Sequence, residues 1–364
     1  MKIVSPLLKT VVYPTLSSVG AFRRTSRGGL AVVTYHGIIP GGYRSVDDAF
    51  DGNLISSEVL RRQVRLLKRE YEVVSPEDVL AFFASGQKLP SRAVLLTCDD
   101  GLLNCLTDML PVLSEEKVKC LFFVTGASAG EVRTMLWYEE LFLIFLRGPS
   151  GPFRASCPEF LIDERLEGRE QRRAVWWSCV RQLSQLDSRS RATVVKALRD
   201  QLGLGETPMP DLRDSVTCRR YGLMTRDELR ELQLAGMTIG AHTMTHPLLS
   251  RQRPERAYEE IAGSRTILES ALSTKVWAFA YPFGDAQSVT PQVLGMAETA
   301  GYRAAFLNLG GGLGCNLPAY ALPRIHVTNG MTLGEFEAHV CGFYAQLQGL
   351  RGGSVMAGSL GEAS

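Results

Sequence analysis

Short apolar runs rich in β-branched residues alternate along this chain with segments of helical periodicity, and that alternation leaves few architectures open. "GLAVVTYHG" (29–37) reads as a strand ending near Tyr35 and His36, closed by glycine. "SSEVLRRQVRLLKREY" (56–71) reads as a helix, and "SPEDVLAFFASG" opens a second, with Ser75 as its cap and Pro76 at its first position. "AVLLTC" (93–98) is a buried strand, "LLNCLTDMLPVLSEEK" the helix after it and "CLFFVT" (120–125) the next strand. The rhythm resumes at "MTRDELRELQLAGMTIGAH", where Thr225 and Glu228 form a capping box before a helix, and a strand follows near 237–241. Helix "PERAYEEIAGSRTILESAL", strand "VWAFAY" (276–281), helix "TPQVLGMAETAG", strand "RAAFLN" and helix "TLGEFEAHVCGFY" complete the series. Strand then helix, repeated about six or seven times, predicts an α/β protein with parallel strands in a sheet that is either open or closed into a barrel. In both architectures the chemistry collects beyond the carboxyl ends of the strands.

Three segments stand apart. Residues 130–222 interrupt the alternation with Arg, Trp and helical pattern: "RRAVWWSCVRQLSQL" puts Trp176, Cys179, Val180, Leu183 and Leu186 on one face, which predicts an inserted helical subdomain. Residues 1–28 carry Val4, Leu7, Leu8, Val11, Val12, Leu16, Val19 and Phe22 at helical spacing. Pro6, Lys9 and Pro14 interrupt that stretch, so it reads as an amphipathic segment rather than a secretory signal, packed on its own domain or lying on a membrane surface. The tail 347–364 is small and polar and is expected to be disordered.

Composition removes several classes. A formal net charge of +2 without a stripe of Lys and Arg gives no footprint for nucleic acid. No uncharged apolar run reaches the roughly 18 residues a membrane-spanning helix needs. Eight cysteines are scattered without a CxxC pair, which reads as a reducing, cytoplasmic setting, with peripheral membrane contact through the N-terminal segment as the alternative.

The chemistry-bearing residues sit at strand ends. His242 and His246, in "IGAHTMTHP", follow a strand directly, and Asp99 and Asp100, in "LLTCDDGLL", follow another. Two imidazoles and one carboxylate supply three protein ligands of a catalytic divalent metal and leave positions open for water. Asp100 is the natural third ligand, and Asp99 would sit beside metal-bound water and take its proton as general base. A metal cation makes two adjacent acids tolerable, since without it one pKa would rise strongly. The competing reading of "DDG", a solvated turn capping the next helix, loses ground once the histidine pair is considered. His326 in "LPRIHV" and His36 in "VTYHG" also fall near strand ends; His326 is preferred as the acid that protonates a leaving amine, with His36 as a pocket residue. His339 reads as a helix-face residue without a chemical role.

In this order the pieces resemble the polysaccharide deacetylases, the NodB-homology family of carbohydrate esterases. "LLTCDDG" is similar to that family's first motif, "HTMTH" to its second and "FAYPFG" to its third, with "TYHGII" and "LPRIHV" recurring in similar members. The likeness covers residues 29–346. It implies a distorted (β/α)7 barrel of parallel strands, Asp99 as the base, and Asp100, His242 and His246 as the metal ligands. It also implies that the backbone N–H of Phe283, in the turn after Tyr281, helps hold the oxyanion. Ala280 stands where many members place an arginine that orients the base, and Arg324 is the candidate to fill that space. Leu322 and His326 are one residue further apart than in the family's closing motif.

The expectation is therefore a hydrolase of amide bonds that removes the N-acetyl group from an N-acetylated glycan or glycan precursor. Zinc is the first choice of metal, with cobalt, nickel and iron suited to the same ligands. Trp137, Tyr281, His36, Arg324 and Phe283 are the expected pocket residues, and Trp176 is read as subdomain core. The alternatives are a deacylase or deformylase of a lipid-linked sugar or other small amide, and a carbohydrate-binding relative without turnover.

Overall fold

Along each strand, successive side chains point to opposite faces, and in this chain both faces are buried, which is why the strands read as nearly unbroken apolar runs. The computed structural model describes residues 7–22, 28–157, 160–205, 210–311, 314 and 317–350. In chain order the strands are β1 (Gly29–Tyr35), β2 (Glu72–Val74), β3 (Arg92–Cys98), β4 (Leu121–Val124), β5 (Gly151–Cys157), β6 (Phe160–Leu166), β7 (Thr238–Ala241), β8 (Ala278–Ala280), β9 (Ala304–Gly310) and β10 (Leu322–His326). The main sheet runs β1-β10-β9-β8-β7-β4-β3-β2, and β1 also pairs with β3, so every strand of it except β2 belongs to a closed, all-parallel ring of seven. Of the two architectures left open by the alternation, the chain takes the barrel.

The barrel is uneven. β1 and β3 pair over seven residues, from Gly29↔Arg92 to Tyr35↔Cys98, whereas β7 and β8 meet only at Ala241↔Phe279. β2 pairs with the lower half of β3, which leaves the upper end, at Thr97↔Leu121 and Cys98↔Phe122, to β4. Inside the ring lie Leu30, Val32, Ala93, Leu95, Phe123, Ala278, Ala280, Ala304, Phe306 and Leu322. The alternate residues, among them Val33, Val94, Leu96, Phe122, Phe279, Tyr281 and Ile325, face the surrounding helices. Small alanines opposite the two phenylalanines let the narrow interior fill without a pore. Continued past β3, the same alternation carries Asp99 to the inside of the barrel mouth.

The helices start where their caps put them. The Ser56 side chain accepts from Val59 N at the head of Ser57–Glu70, and capping boxes at Ser75/Asp78 and Thr225/Glu228 open Pro76–Ser85 and Arg226–Leu234. Helix Tyr13–Ser18 packs on Leu333–Val340: Tyr13 and Phe22 are buried with Ala338 and Cys341, and Lys9 pairs with Glu335 at 3.2 Å. Leu7, Val11 and Val19 stay exposed, and Val4 lies outside the described residues. No helix among the described residues is long and apolar enough to cross a membrane. Six described cysteines are free thiols.

The segment expected to be helical is mixed. Helices Trp137–Arg147, Gly168–Leu183, Ser188–Gln201 and Ser215–Tyr221 accompany an antiparallel hairpin, β5 with β6, and Leu141, Phe145, Phe153, Ile162, Val180 and Leu198 form a core of their own. The polar positions between Phe160, Ile162 and Leu166 hid that strand in the sequence. Helix Phe343–Leu350 runs through the first residues of the tail expected to be disordered; 351–364 lie outside the described residues.

Candidate active site

β3 ends in a sharp reversal. Asp100 and Gly101 both adopt left-handed backbone, with φ of 76° and 79°, so the two neighbouring carboxylates point in different directions. A Cβ on Gly101 would lie 2.9 Å from Val124 Cγ1, which leaves glycine as the residue that fits.

His242 follows β7, and its Nδ1–H donates to the carbonyl of Ala280 at 2.7 Å, which turns Nε2 and its lone pair into the site. The next residues form a turn rather than a helix. Thr243 and His246 are left-handed, at φ 64° and 55°, and Thr243 Oγ1 accepts from the His246 N–H at 3.0 Å. The Nε2 atoms of His242 and His246 lie 3.6 and 3.3 Å from Asp100 Oδ1, and all three side chains are buried. Asp100 Oδ1 has no hydrogen-bond partner among the described residues. Three donor atoms within 4.8 Å of one another, two nitrogens and one oxygen, fit a divalent cation of the zinc type. Burial pushes the His242 imidazole down to about 4, so it is neutral near pH 7, the form that ligates. Burial acts upward on Asp100, but the close approach of His246, with His36 and His242 nearby, holds its carboxyl well below the usual range.

Asp99 faces the same space from the barrel wall. Arg324 Nη1 donates to Oδ1 and Nη2 to Oδ2, both at 2.6 Å, while Arg324 Nε donates to the carbonyl of Leu307 at 3.1 Å. Arg324 comes from β10, two strand positions before His326, and is fully buried. Burial alone would raise Asp99; the Arg324 charge overrides it and keeps the carboxyl ionised.

His36 and His326, at the tops of the paired strands β1 and β10, stack at 4.7 Å, and His36 Nε2 lies 4.0 Å from Asp99 Oδ2. His326 is fixed at both nitrogens, by Asn308 Nδ2 at 2.8 Å and Asn53 Oδ1 at 3.1 Å. Burial and the neighbouring His36 push it down to about 3. Phe283 lines the pocket with its ring 4.9 Å from that of His246, on left-handed backbone at φ 61°. Of the six non-glycine residues with left-handed φ among the described residues, four (Asp100, Thr243, His246 and Phe283) surround this site, the pattern of strain held where geometry is over-determined.

Three expected pocket residues do not line the pocket: Arg324 lies behind Asp99, and Tyr281 and Trp137 stand elsewhere. Ala280 faces the barrel interior, so the next side chain, Tyr281, faces outward, and its hydroxyl donates to the carbonyl of Tyr320 at 3.1 Å. Trp137 lies behind the histidine turn, with its Nε1–H donating to the carbonyl of His246 at 3.1 Å. His339 stacks on Tyr344, away from the site.

The pocket over these groups has a volume of about 310 Å³. Phe50, Tyr138, Trp176 and Trp177 form an aromatic wall, so Trp176, read as core, also borders the pocket. Glu139 and Arg220 line it as well. Arg220 Nη1 donates to Glu139 Oε1 at 2.9 Å and its Nε to Asp51 Oδ1 at 2.8 Å. Burial pushes Glu139 up to about 7 even against the Arg220 charge. Asn53, Asn308, Tyr138, Glu139 and Arg220 carry no motif. Of the expected pocket residues, Trp137 is the one that pointed to the region of Tyr138 and Glu139.

The seven-stranded parallel barrel matches known proteins in fold, and part of the chain matches in sequence. The model of the family described as polysaccharide deacetylase matches residues 86–142 and 213–305, which include both acids, both histidines and Phe283 and skip most of the insertion. YxkH of Bacillus subtilis, which carries the polysaccharide deacetylase name, is 26% identical over 117 residues, covering 32% of this chain and 41% of that protein's length. Among solved structures, the barrel is similar to IcaB from Ammonifex degensii, with TM-score 0.53, 18% identity and coverage of 86% of this chain and 97% of that one. A polysaccharide deacetylase from Bacillus cereus gives 0.52, 16%, 86% and 69%, and the deacetylase PplD from Streptococcus pyogenes 0.50, 16%, 85% and 97%. Over these two segments the chain is similar in sequence to the polysaccharide deacetylase family, and its barrel has the fold of solved deacetylases.

Proposed function

We propose that this protein is a metal-dependent hydrolase that removes the N-acetyl group from a sugar unit of a glycan or glycan precursor. The observation that carries the reading is the division of labour between neighbours: Asp100 converges with His242 and His246, while Asp99 is gripped by Arg324 and left facing the pocket. A divalent cation on the three ligands, zinc by preference, would supply Lewis acidity and an acidified water. Asp99, ionised at rest, takes the proton of the attacking water, and Arg324 fixes its orientation and bears its charge. The N–H of Phe283 donates to the oxygen that becomes negative as the acyl carbon turns tetrahedral. His326, oriented by Asn308 and Asn53, hands a proton to the departing amine. Because His326 is neutral at rest, the proton it passes on is the one Asp99 has taken from the water, and His36, stacked on His326 at 4.7 Å and 4.0 Å from Asp99, lies between the two.

The pocket supports a sugar as substrate. Its volume is at the small end of ligand sites, the scale of one pyranose with its acyl arm, and indole faces such as those of Trp176 and Trp177 suit the apolar face of a sugar ring. Acetate release from a panel of N-acetylated sugars and oligosaccharides tests the reading. Activity should vanish with chelator and return with zinc or cobalt; turnover indifferent to chelators contradicts it. N-formyl and lipid-linked sugars in the same panel decide which acyl group and carrier are used.

A further inference from the structure

We propose that the insertion sets the geometry of the metal-binding turn, with Arg191 and Trp137 as positioning residues that hold His246 in its ligating conformation. This rests on the metal reading above.

The turn 242–248 cannot hold its shape alone. Thr243 and His246 are both left-handed, a conformation that residues with a Cβ keep only under constraint from their surroundings. The constraint comes from three pieces of the insertion. On helix Trp137–Arg147, the first residue donates its indole N–H to the carbonyl of His246 at 3.1 Å. On helix Ser188–Gln201, Arg191 Nη2 donates to Thr245 Oγ1 at 2.6 Å and to the carbonyl of Thr245 at 3.3 Å. Between the helices, Ser184 Oγ accepts from the N–H of Leu248 at 3.1 Å, and the Leu248 side chain is buried in the insertion's core.

These contacts form one unit. The Arg191 guanidinium lies over the Trp137 ring at 4.6 Å, so each side chain limits the movement of the other. Thr245 is also held from the barrel side, its N–H donating to Glu260 Oε2 at 2.8 Å. Glu260 therefore offsets the Arg191 charge across Thr245, and Arg191 remains a cation, lowered by burial only to about 10. Arg191 is 2% exposed, far more buried than solubility asks of an arginine, and is not among the residues that line the pocket. Both of its side-chain hydrogen bonds among the described residues go to Thr245, the residue before His246. Tyr138, next to Trp137, packs its ring 4.9 Å from that of His246, so the same helix end also borders the pocket.

The test is zinc affinity of the full chain by competition with a chromophoric chelator, with the visible spectrum of the cobalt-loaded protein as second readout. Trp137→Phe removes the N–H and keeps the ring; Arg191→Met removes the charge and keeps the stem. Both should weaken zinc about ten- to a hundredfold and change the cobalt spectrum, while the melting temperature in excess chelator stays near wild type. Arg191→Lys, with one donor left for Thr245, should fall between. If Arg191→Met does not fold, Trp137→Phe decides. Zinc affinities within twofold of wild type and an unchanged cobalt spectrum overturn the proposal. A wild-type chain that binds no zinc overturns the metal reading itself and this inference with it.

Discussion

Arg324 meets Asp99 end-on, one guanidinium nitrogen on each carboxylate oxygen at 2.6 Å, both side chains buried at the barrel mouth. The pair joins β10 to the turn after β3 and needs no residue at Ala280 to orient the acid. Arg324→Met should leave zinc binding intact and reduce turnover about a hundredfold, since misplacing a reacting group by about 1 Å is worth that much. It should also lower stability by about 3–5 kcal/mol, because Asp99 is left as an uncompensated buried charge. Denaturant titration of the single variant and of Arg324→Met/Asp99→Asn separates the two effects. The double variant should regain much of the lost stability and none of the activity.

Gly101 is a backbone requirement within the motif. Its φ of 79° and the 2.9 Å approach to Val124 leave no room for a methyl group, so Gly101→Ala should destabilise the protein by about 2 kcal/mol. Because Asp100 immediately precedes it, zinc affinity should fall as well. Thermal melting and chelator competition on the same sample check both outcomes, and wild-type values for both contradict this account of the turn.

Glu139 gives the stability a pH dependence. Burial first, and then the charges of Asp100 and Asp51, raise its carboxyl to about 7 from the ordinary 4.5, with Arg220 opposing. The folded chain therefore holds this proton more tightly than the unfolded one. That contribution is fully present below pH 4.5 and is lost as pH rises through 7. Glu139→Gln cannot titrate there, so its stability relative to wild type should improve between pH 5 and pH 8, on the order of 1 kcal/mol per pH unit within the window. Denaturation in the presence of chelator, which keeps cations out of the neighbouring cluster, measures it; a flat or opposite trend rejects the assignment.

The barrel was legible because a parallel strand buried on both faces leaves an apolar run that little else produces, and the caps at Ser75 and Thr225 marked where helices begin. β2 escaped because "EVV" is three residues long between two helices, and the hairpin β5–β6 because polar residues break its strands. At the site, the placement of Asp99, Asp100, His242 and His246 at one mouth follows from strand ends alone. Tyr281 was misplaced for a reason the sequence contained: period 2 puts it opposite Ala280 and out of the barrel. Trp137, Glu139 and Arg220 belong to an insertion whose docking onto the barrel depends on long-range contacts that no local pattern encodes.

The central claim is that Asp100, His242 and His246 hold one divalent cation while Asp99 does chemistry without being a ligand. Zinc content and acetate release, measured side by side on Asp99→Asn and His242→Ala, test it most directly. The account predicts about one zinc per chain and no acetate from Asp99→Asn, and neither zinc nor acetate from His242→Ala. Near-normal turnover by Asp99→Asn, or a full equivalent of zinc in His242→Ala, contradicts it.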